Sequence, residues 1–388
     1  VKATKPRIIA LVVGILVIGT ASLYLAKFLT DSSTKRSLRS VLSAGIELFE
    51  KGQYEDARAK LDECYKKAPK GDVKNRALLF IARCYSAENE RDKAAEFWGK
   101  VAENPSLPDE HAEAFYCLGT LQSAGRTPGE QQAAEKYYKK AVNVAPGSRF
   151  ADLAKIEIAN LMLDRDNLPG AKQILEKLRD EKKDYLQLNK ATFKLNMELL
   201  FSPAITEVPE SEYYVVQQGD TLDGIGKKFG TTAALLEESN GVNPLRLQIG
   251  KRLKVVTGKF RLKISRSKNI LQLISGDVVL NEYRIGTGKS GKTPVGKFNI
   301  ADKVKEPPWF KDGRVIPYGH PDNVLGTRWM KLQSIDGQTE LTGYGIHGTD
   351  DESSIGKQES EGCIRLLNHD VEELYKIVTV GIEVIIEE

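Results

Sequence analysis

The chain has 388 residues, a formal net charge of +4, and only four cysteines and four histidines. That length calls for two or three domains instead of one core. The small charge argues against nucleic acid as the main partner. Four cysteines with no C-x-x-C pair argue against a disulfide framework or a thiolate metal site.

Residues 8–26 carry no charge and are mostly Ile, Leu, Val, Gly and Ala. Nineteen such residues are about enough to cross a bilayer core as a helix. A cleaved signal peptide is the rival reading, with Gly19 and Ala21 as its small residues. The apolar run continues through Leu23, Tyr24 and Leu25, which favours an uncleaved anchor over residues 1–30. Lys2, Lys5 and Arg7 before it are balanced by Lys27, Lys35, Arg36 and Arg39 after it, so charge does not set its orientation.

Residues 36–201 read as repeated helical pairs. A small residue with a large apolar one four places on recurs at Ala57/Leu61, Ala94/Trp98, Ala134/Tyr138 and Ala171/Leu175, at spacings of 37, 40 and 37 residues. Such a pair lies on one helix face and lets a second helix approach closely. The pattern resembles the tetratricopeptide repeat, with Gly45 and Tyr85 fitting its first helix, although the spacing exceeds that family's usual ~34 residues. The expectation is an all-α solenoid of four hairpins, closed by a capping helix over 189–201. It would serve as a protein-binding surface or as a spacer. Cys64, Cys84 and Cys117 fall within these helices as small apolar side chains.

Residues 202–211 contain two prolines and no periodicity, and read as a linker. Residues 212–257 follow as strand, helix, helix, strand. Thr221 caps a helix carrying Leu222, Ile225 and Phe229, Thr231 and Thr232 open the second, and Asn240-Gly241 ends it. The strings YVVQQGDTL and FGTT, with the N-x-x-x-x-x-I-G-K-R-L tail, resemble the LysM module, which binds N-acetylglucosamine-containing glycans. The resemblance implies a glycan near Gly219, Asp220, Thr221 and Leu222 on one side and Asn240 and Asn243 on the other. The alternative is a module that keeps the fold without the ligand.

Residues 258–388 are β-rich. Phe260, Leu262 and Ile264 alternate with polar residues, and Ser275-Gly276-Asp277 separates two strands of a hairpin. GTGKSGKT at 286–293 matches the phosphate-loop pattern, but that loop needs a helix directly after it. Pro294 and Gly296 follow instead, then strand-like alternation at Phe298 and Ile300, so phosphate binding is not expected.

The chemistry gathers at 344–368, YGIHGTDDESSIGKQESEGCIRLLN. Cys363 offers a thiol that attacks carbonyl carbon as thiolate, and His347 offers an imidazole able to take its proton. Arg365 carries a planar fork suited to a carboxylate. Taken bare, one Cys and one His sixteen positions apart also describe a buried thiol and a surface imidazole. The strings IHGT and S-x-GCIRL-x-N, with TPVGKF, PPWF and NVLGTRWMKL upstream, resemble the L,D-transpeptidases of the YkuD-like fold.

That resemblance implies a mainly-β catalytic domain in a peptidoglycan-acting enzyme of the bacterial envelope. It assigns Cys363 as nucleophile, His347 as base with the Gly348 carbonyl as its partner, and Arg365 as support. Backbone N–H groups of Gly362 and Cys363 would hold the oxyanion, and Ser360, Tyr318 and Trp329 would contact substrate. Many members carry His between the Ser and the Gly of the motif, where this chain has Glu361, whose role stays open. Hydrolysis of the same bond, as an L,D-carboxypeptidase, and a non-catalytic wall-binding scaffold are the alternatives. His111, His320 and His369 have no metal-ligand spacing, so neither metal nor cofactor is expected.

Overall fold

The computed structural model describes residues 36–104, 107–125, 127–337 and 342–388. The transmembrane helix expected at 8–26 lies outside these residues. Among the described residues no helix is long and apolar enough to cross a membrane. Two compact units divide the chain between Arg165 and Asp166.

The first unit contains α1 (36–50), α2 (Tyr54–Lys67), α3 (Asp72–Ala87), α4 (Arg91–Glu103), α5 (Pro108–Ser123), α6 (Pro128–Val144) and α7 (Arg149–Leu163). Ala57, Ala94 and Ala134 are buried together with Leu61, Trp98 and Tyr138, so the small–large pattern does mark the packed face. The facing helix supplies the room. A Cβ on Gly45 would stand 2.8 Å from the Leu61 side chain, and one on Gly119 would stand 2.5 Å from the Tyr138 ring. Polar ties recur with the same offset of 30 residues, from Arg58 to Glu88, Arg83 to Glu113, Arg91 to the Leu121 carbonyl and Arg165 to Glu135. Cys64 and Cys84 are buried free thiols, and burial pushes the Cys84 pKa up to about 12.

The second unit begins with α8 (Leu168–Asp180) and α9 (Leu186–Phe201). The fourth helical pair, with Ala171 and Leu175 buried, therefore falls in the same compact unit as the C-terminal modules. Met197 and Leu200 of α9 join the core of the C-terminal sheet.

The small module pairs β1 (Ser211–Val215) antiparallel with β2 (Arg252–Val256) around α10 (Leu222–Phe229) and α11 (Ala233–Asn240). Thr221 and Thr232 cap the two helices, accepting from Gly224 N at 3.0 Å and Leu235 N at 2.9 Å. Gly226 has a packing reason: its Cβ would meet the Thr231 carbonyl oxygen at 2.9 Å, where the chain turns between the helices. Lys254 of β2 is 0% exposed. Its Nζ donates to the carbonyls of Leu199, Leu200 and Ser202, at 2.6, 3.3 and 3.1 Å. These are carbonyls left open at the end of α9. Thr232 also donates to the Lys376 carbonyl, and Lys376 pairs with Glu238 at 2.6 Å. The module is thus tied both to α9 and to the C-terminal domain.

The C-terminal domain adds β3 (Phe260–Ser265), β4 (Ile270–Ser275), β5 (Val278–Arg284), β6 (Thr287–Gly288), β7 (Gly296–Lys305), β8 (Trp309–Lys311), β9 (Arg314–Ile316), β10 (Arg328–Ser334), β11 (Gly345–Thr349), β12 (Gln358–Ser360), β13 (Ile364–Leu367), α12 (Asn368–Ile377) and β14 (Glu383–Glu387). One eight-stranded sheet runs β13-β11-β10-β7-β14-β3-β4-β5. The pairs β11–β13 and β14–β3 are parallel and the others antiparallel. Leu262, Ile264, Phe298, Ile300, Ile346 and Ile364 fill the core, and α12 packs on β10, β11 and β13. The helix starts at Asn368 without a side-chain cap. No helix follows the GTGKSGKT stretch, which forms β6, a short 3-10 turn and the approach to β7.

Candidate active site

The site lies on the two parallel strands at one edge of the sheet. Ile346 faces Ile364 and His347 faces Arg365 in the β11–β13 register. Side chains alternate between faces of a strand. Ile346, Ile364 and Leu366 point into the core. Cys363, His347 and Arg365 therefore share the other face.

His347 is 2% exposed, and Trp329 of β10 stacks on it with ring centroids 5.9 Å apart. Its Nδ1 lies 2.8 Å from the Gly348 carbonyl oxygen. A carbonyl can only accept, so Nδ1 carries the proton and Nε2 is left as the basic nitrogen. Burial pulls the imidazole pKa down to about 4, with the nearby Arg365 charge adding to it, while backbone contacts at Gly348 and Leu325 oppose. The ring is neutral at pH 7 and ready to accept a proton.

Cys363 is partly exposed, and its thiol donates weakly to the Gly343 carbonyl at 3.7 Å. Burial raises its pKa, and the Gly345 backbone and the Arg365 charge oppose that rise. The resting groups are thus a neutral thiol and a neutral imidazole. The Arg365 guanidinium makes no hydrogen bond or close ion pair among the described residues, and its charge helps to lower the Asp351 pKa.

Two expectations change. The Gly362 N–H is not free for an oxyanion, because it donates to Ser360 Oγ at 3.1 Å. Ser360 does not face substrate: it is 2% exposed, and its hydroxyl donates to the Cys363 carbonyl at 2.6 Å. It braces the nucleophile loop. The Cys363 N–H has no partner among the described residues. Trp329 lies at the site, over His347 and Gly345. Tyr318 is exposed in the loop after β9.

Three positioning residues escaped the sequence reading. Thr293 is fully buried, accepts from Gly288 N at 2.7 Å and donates to the Gly362 carbonyl at 2.9 Å. Its signal was the TPVGKF string, which named a strand but no role. Asn368 accepts from Thr327 N at 3.1 Å and donates to Asp350 at 2.5 Å, tying β13 to the start of β10. Gly343 received no signal at all. Glu361 is exposed and gripped by Lys289 at 2.5 Å and by Lys292, which hold its pKa down at about 2.

The rim expected to hold glycan is internally hydrogen-bonded. Asp220 accepts from Gln217 N at 2.7 Å and from the Tyr214 hydroxyl at 2.8 Å, and Leu222 is core. Asn240 is bonded to Lys254 N and O, and Asn243 accepts from Leu245 N at 2.8 Å. With Thr221 capping α10, the polar side chains of this rim hold the module together. Gly219 stays exposed, and Leu245 and Ile249 are 91% and 69% exposed. Among the described residues no group of three His, Cys, Asp or Glu could hold a metal.

Residues 259–386 match the model of the YkuD L,D-transpeptidase catalytic domain. The putative L,D-transpeptidase YkuD of Bacillus licheniformis is 34% identical over 179 residues, which is 44% of this chain and 96% of that protein. The chain belongs to the L,D-transpeptidase family. The B. subtilis YkuD is 33% identical over 180 residues, 45% of this chain and 97% of its own length. The putative L,D-transpeptidase YqjB of B. subtilis is 38% identical over 126 residues, 32% of this chain and 68% of its own length. Residues 214–256 match the LysM domain model. The protein is a cysteine-type L,D-transpeptidase acting on peptidoglycan, and with its LysM domain it is associated with the wall outside the cytoplasm.

Proposed function

We propose that Cys363 is the nucleophile and His347 the base of a reaction that joins two peptide stems of peptidoglycan. The observation that carries this is the Nδ1–H···O=C contact from His347 to Gly348, which leaves Nε2 basic on the face that bears Cys363. Nε2 takes the thiol proton as sulfur attacks the carbonyl carbon of the third residue of a tetrapeptide stem. The Cys363 N–H holds the developing oxyanion. Collapse breaks the bond to the terminal D-Ala, whose amine leaves with the proton from His347, and a thioester remains. An acceptor amine then attacks the thioester, gives a proton to His347 and forms a 3→3 cross-link. The proton returns to sulfur. The Arg365 guanidinium, which makes no close internal ion pair, holds a stem carboxylate.

The apolar segment 8–26 anchors the chain in the membrane. The LysM domain grips the glycan strand through Gly219, backbone groups and the exposed Leu245 and Ile249. The TPR-like pairs bind a protein partner or hold the enzyme away from the bilayer.

Intact-mass measurement of the full chain with a disaccharide-tetrapeptide tests the chemistry. A thioester adduct, released D-Ala and, with acceptor present, a dimer are expected, all lost in Cys363→Ala. D-Ala without dimer would identify a carboxypeptidase. Neither adduct nor D-Ala from folded protein would leave a wall-binding scaffold.

A further inference from the structure

The GTGKSGKT loop opens no helix, and its two lysines reach Glu361, close in sequence to the nucleophile. Lys289 Nζ lies 2.5 Å from Glu361 Oε1, and Lys292 Nζ meets Oε2 of the same carboxylate. An exposed ion pair of this kind is worth little and shifts freely. Here the backbone on both sides is fixed. Arg266 donates to the Gly291 carbonyl at 2.8 Å and to that of Thr293. Ser290 and Gly291 both adopt the left-handed backbone, at φ 52° and 74°, which folds the loop tightly between the lysines. Thr293 then bolts the loop to Gly362 through its 2.9 Å bond. Glu361 stands two residues before Cys363. Lys289 and Lys292 thus converge on a carboxylate two residues before Cys363, and Arg365, whose charge acts on the thiol, stands two residues after it.

We propose that Lys289 and Lys292 form a recognition site for a carboxylate of the stem peptide, and that Glu361 occupies it in the free enzyme. The proposal rests on the donor-stem reading above. Two ammonium groups converging on one carboxylate recognise that group wherever it comes from, and a stem carboxylate exchanges one charge-assisted contact for an equivalent one. Glu361 is then an internal competitor. Selectivity arises between stems that carry a free carboxylate and stems in which it is amidated, because only the former can replace Glu361.

The test is equilibrium binding to the full-length Cys363→Ala chain, so that no turnover is needed. The probes are a disaccharide-tetrapeptide with free carboxylates and the same compound with its carboxylates amidated. The free form is expected to bind about fivefold more tightly. Replacing both lysines, Lys289→Gln with Lys292→Gln, removes that preference and leaves the amidated stem unaffected. Glu361→Gln has the opposite sign and tightens the free form several-fold, since it empties the site without removing the cations. A merely structural salt bridge would weaken binding in both variants. Equal binding of the two stems, no binding of either, an equal loss for both on removing the lysines, or weaker binding in Glu361→Gln would each overturn the proposal. Failure of the donor assignment is read separately, as wild-type protein that releases no D-Ala.

Discussion

Ser360 Oγ donates to the carbonyl oxygen of Cys363 at 2.6 Å, and the same hydroxyl accepts the Gly362 N–H at 3.1 Å. One buried hydroxyl thereby holds the 361–362 peptide and the 363–364 peptide, while Thr293 holds the Gly362 carbonyl of the peptide between them. Ser360→Ala leaves a buried donor and a buried acceptor without partners, which costs about 1–3 kcal/mol of stability. The Cys363 N–H is then less well aimed, so kcat for D-Ala release should fall at least about tenfold with KM little changed. Denaturant melts and steady-state rates on the same preparation check both. An unchanged kcat in a destabilised variant would show that the loop keeps its aim without the serine.

The pH dependence follows from His347. Its pKa is depressed to about 4 from an ordinary 6.5, so the base form persists down to about pH 4. The acid limb of thioester formation should lie near pH 4 and the rate should be flat from about pH 5 to 8. Stability shares the sign. An unfolded chain takes up a proton on this residue between about pH 6.5 and 4 while the folded chain does not, so stability is lost as pH falls through that window, by up to roughly 3 kcal/mol. An acid limb near 6.5 in the pH–rate profile would mean that the ring is solvated in the working enzyme.

Gly362 tests how tightly the loop is built. Its φ is +131°, and an added Cβ would stand 2.6 Å from the Tyr344 ring and 3.1 Å from the Lys292 carbonyl oxygen. Gly362→Ala combines backbone strain with a clash, and about 1–3 kcal/mol of destabilisation is expected. The displaced Cys363 should lose thioester formation by about a hundredfold or more. Single-turnover acylation followed by intact mass gives the rate, and a variant within threefold of wild type would contradict the geometry.

Lys254 tests the seam between the LysM domain and α9. Burial lowers its pKa to about 8, yet its three carbonyl acceptors at a helix C-terminus favour the ammonium. Lys254→Met keeps the stem and removes the donors, so about 2–4 kcal/mol of stability should be lost at pH 7. Hydrogen exchange should show the last turn of α9 opening together with β1 and β2. Exchange that changes only within β2 would show that the seam is held by apolar contacts instead.

Much of the site was legible in the chain because motif residues close in sequence meet in space through one parallel strand pair. Cys363 and Arg365 are two apart, on the same strand face, and His347 faces Arg365 across β11–β13. The small–large helical markers were legible for a similar local reason, since a residue and the one four places on share a helix face. The internal bonds of the LysM rim were not legible, because a polar residue in a loop motif looks the same whether it meets a ligand or its own backbone. Asp220 and Asn240 could be told apart from glycan contacts only by their partners at Gln217 and Lys254.

By itself the sequence determined the residue types that can do the chemistry, the helical and strand periods that fold each module, and the absence of a helix where a phosphate loop would need one. Those are properties of neighbours along the chain. Tertiary structure decided which groups are free to act. Thr293 reaches Gly362 across 69 residues, Lys292 reaches Glu361 across the same separation, and Lys254 reaches the end of α9 across more than fifty. A donor bonded internally is closed to substrate and an unpartnered one is open, and that depends on packing between segments that no local pattern encodes.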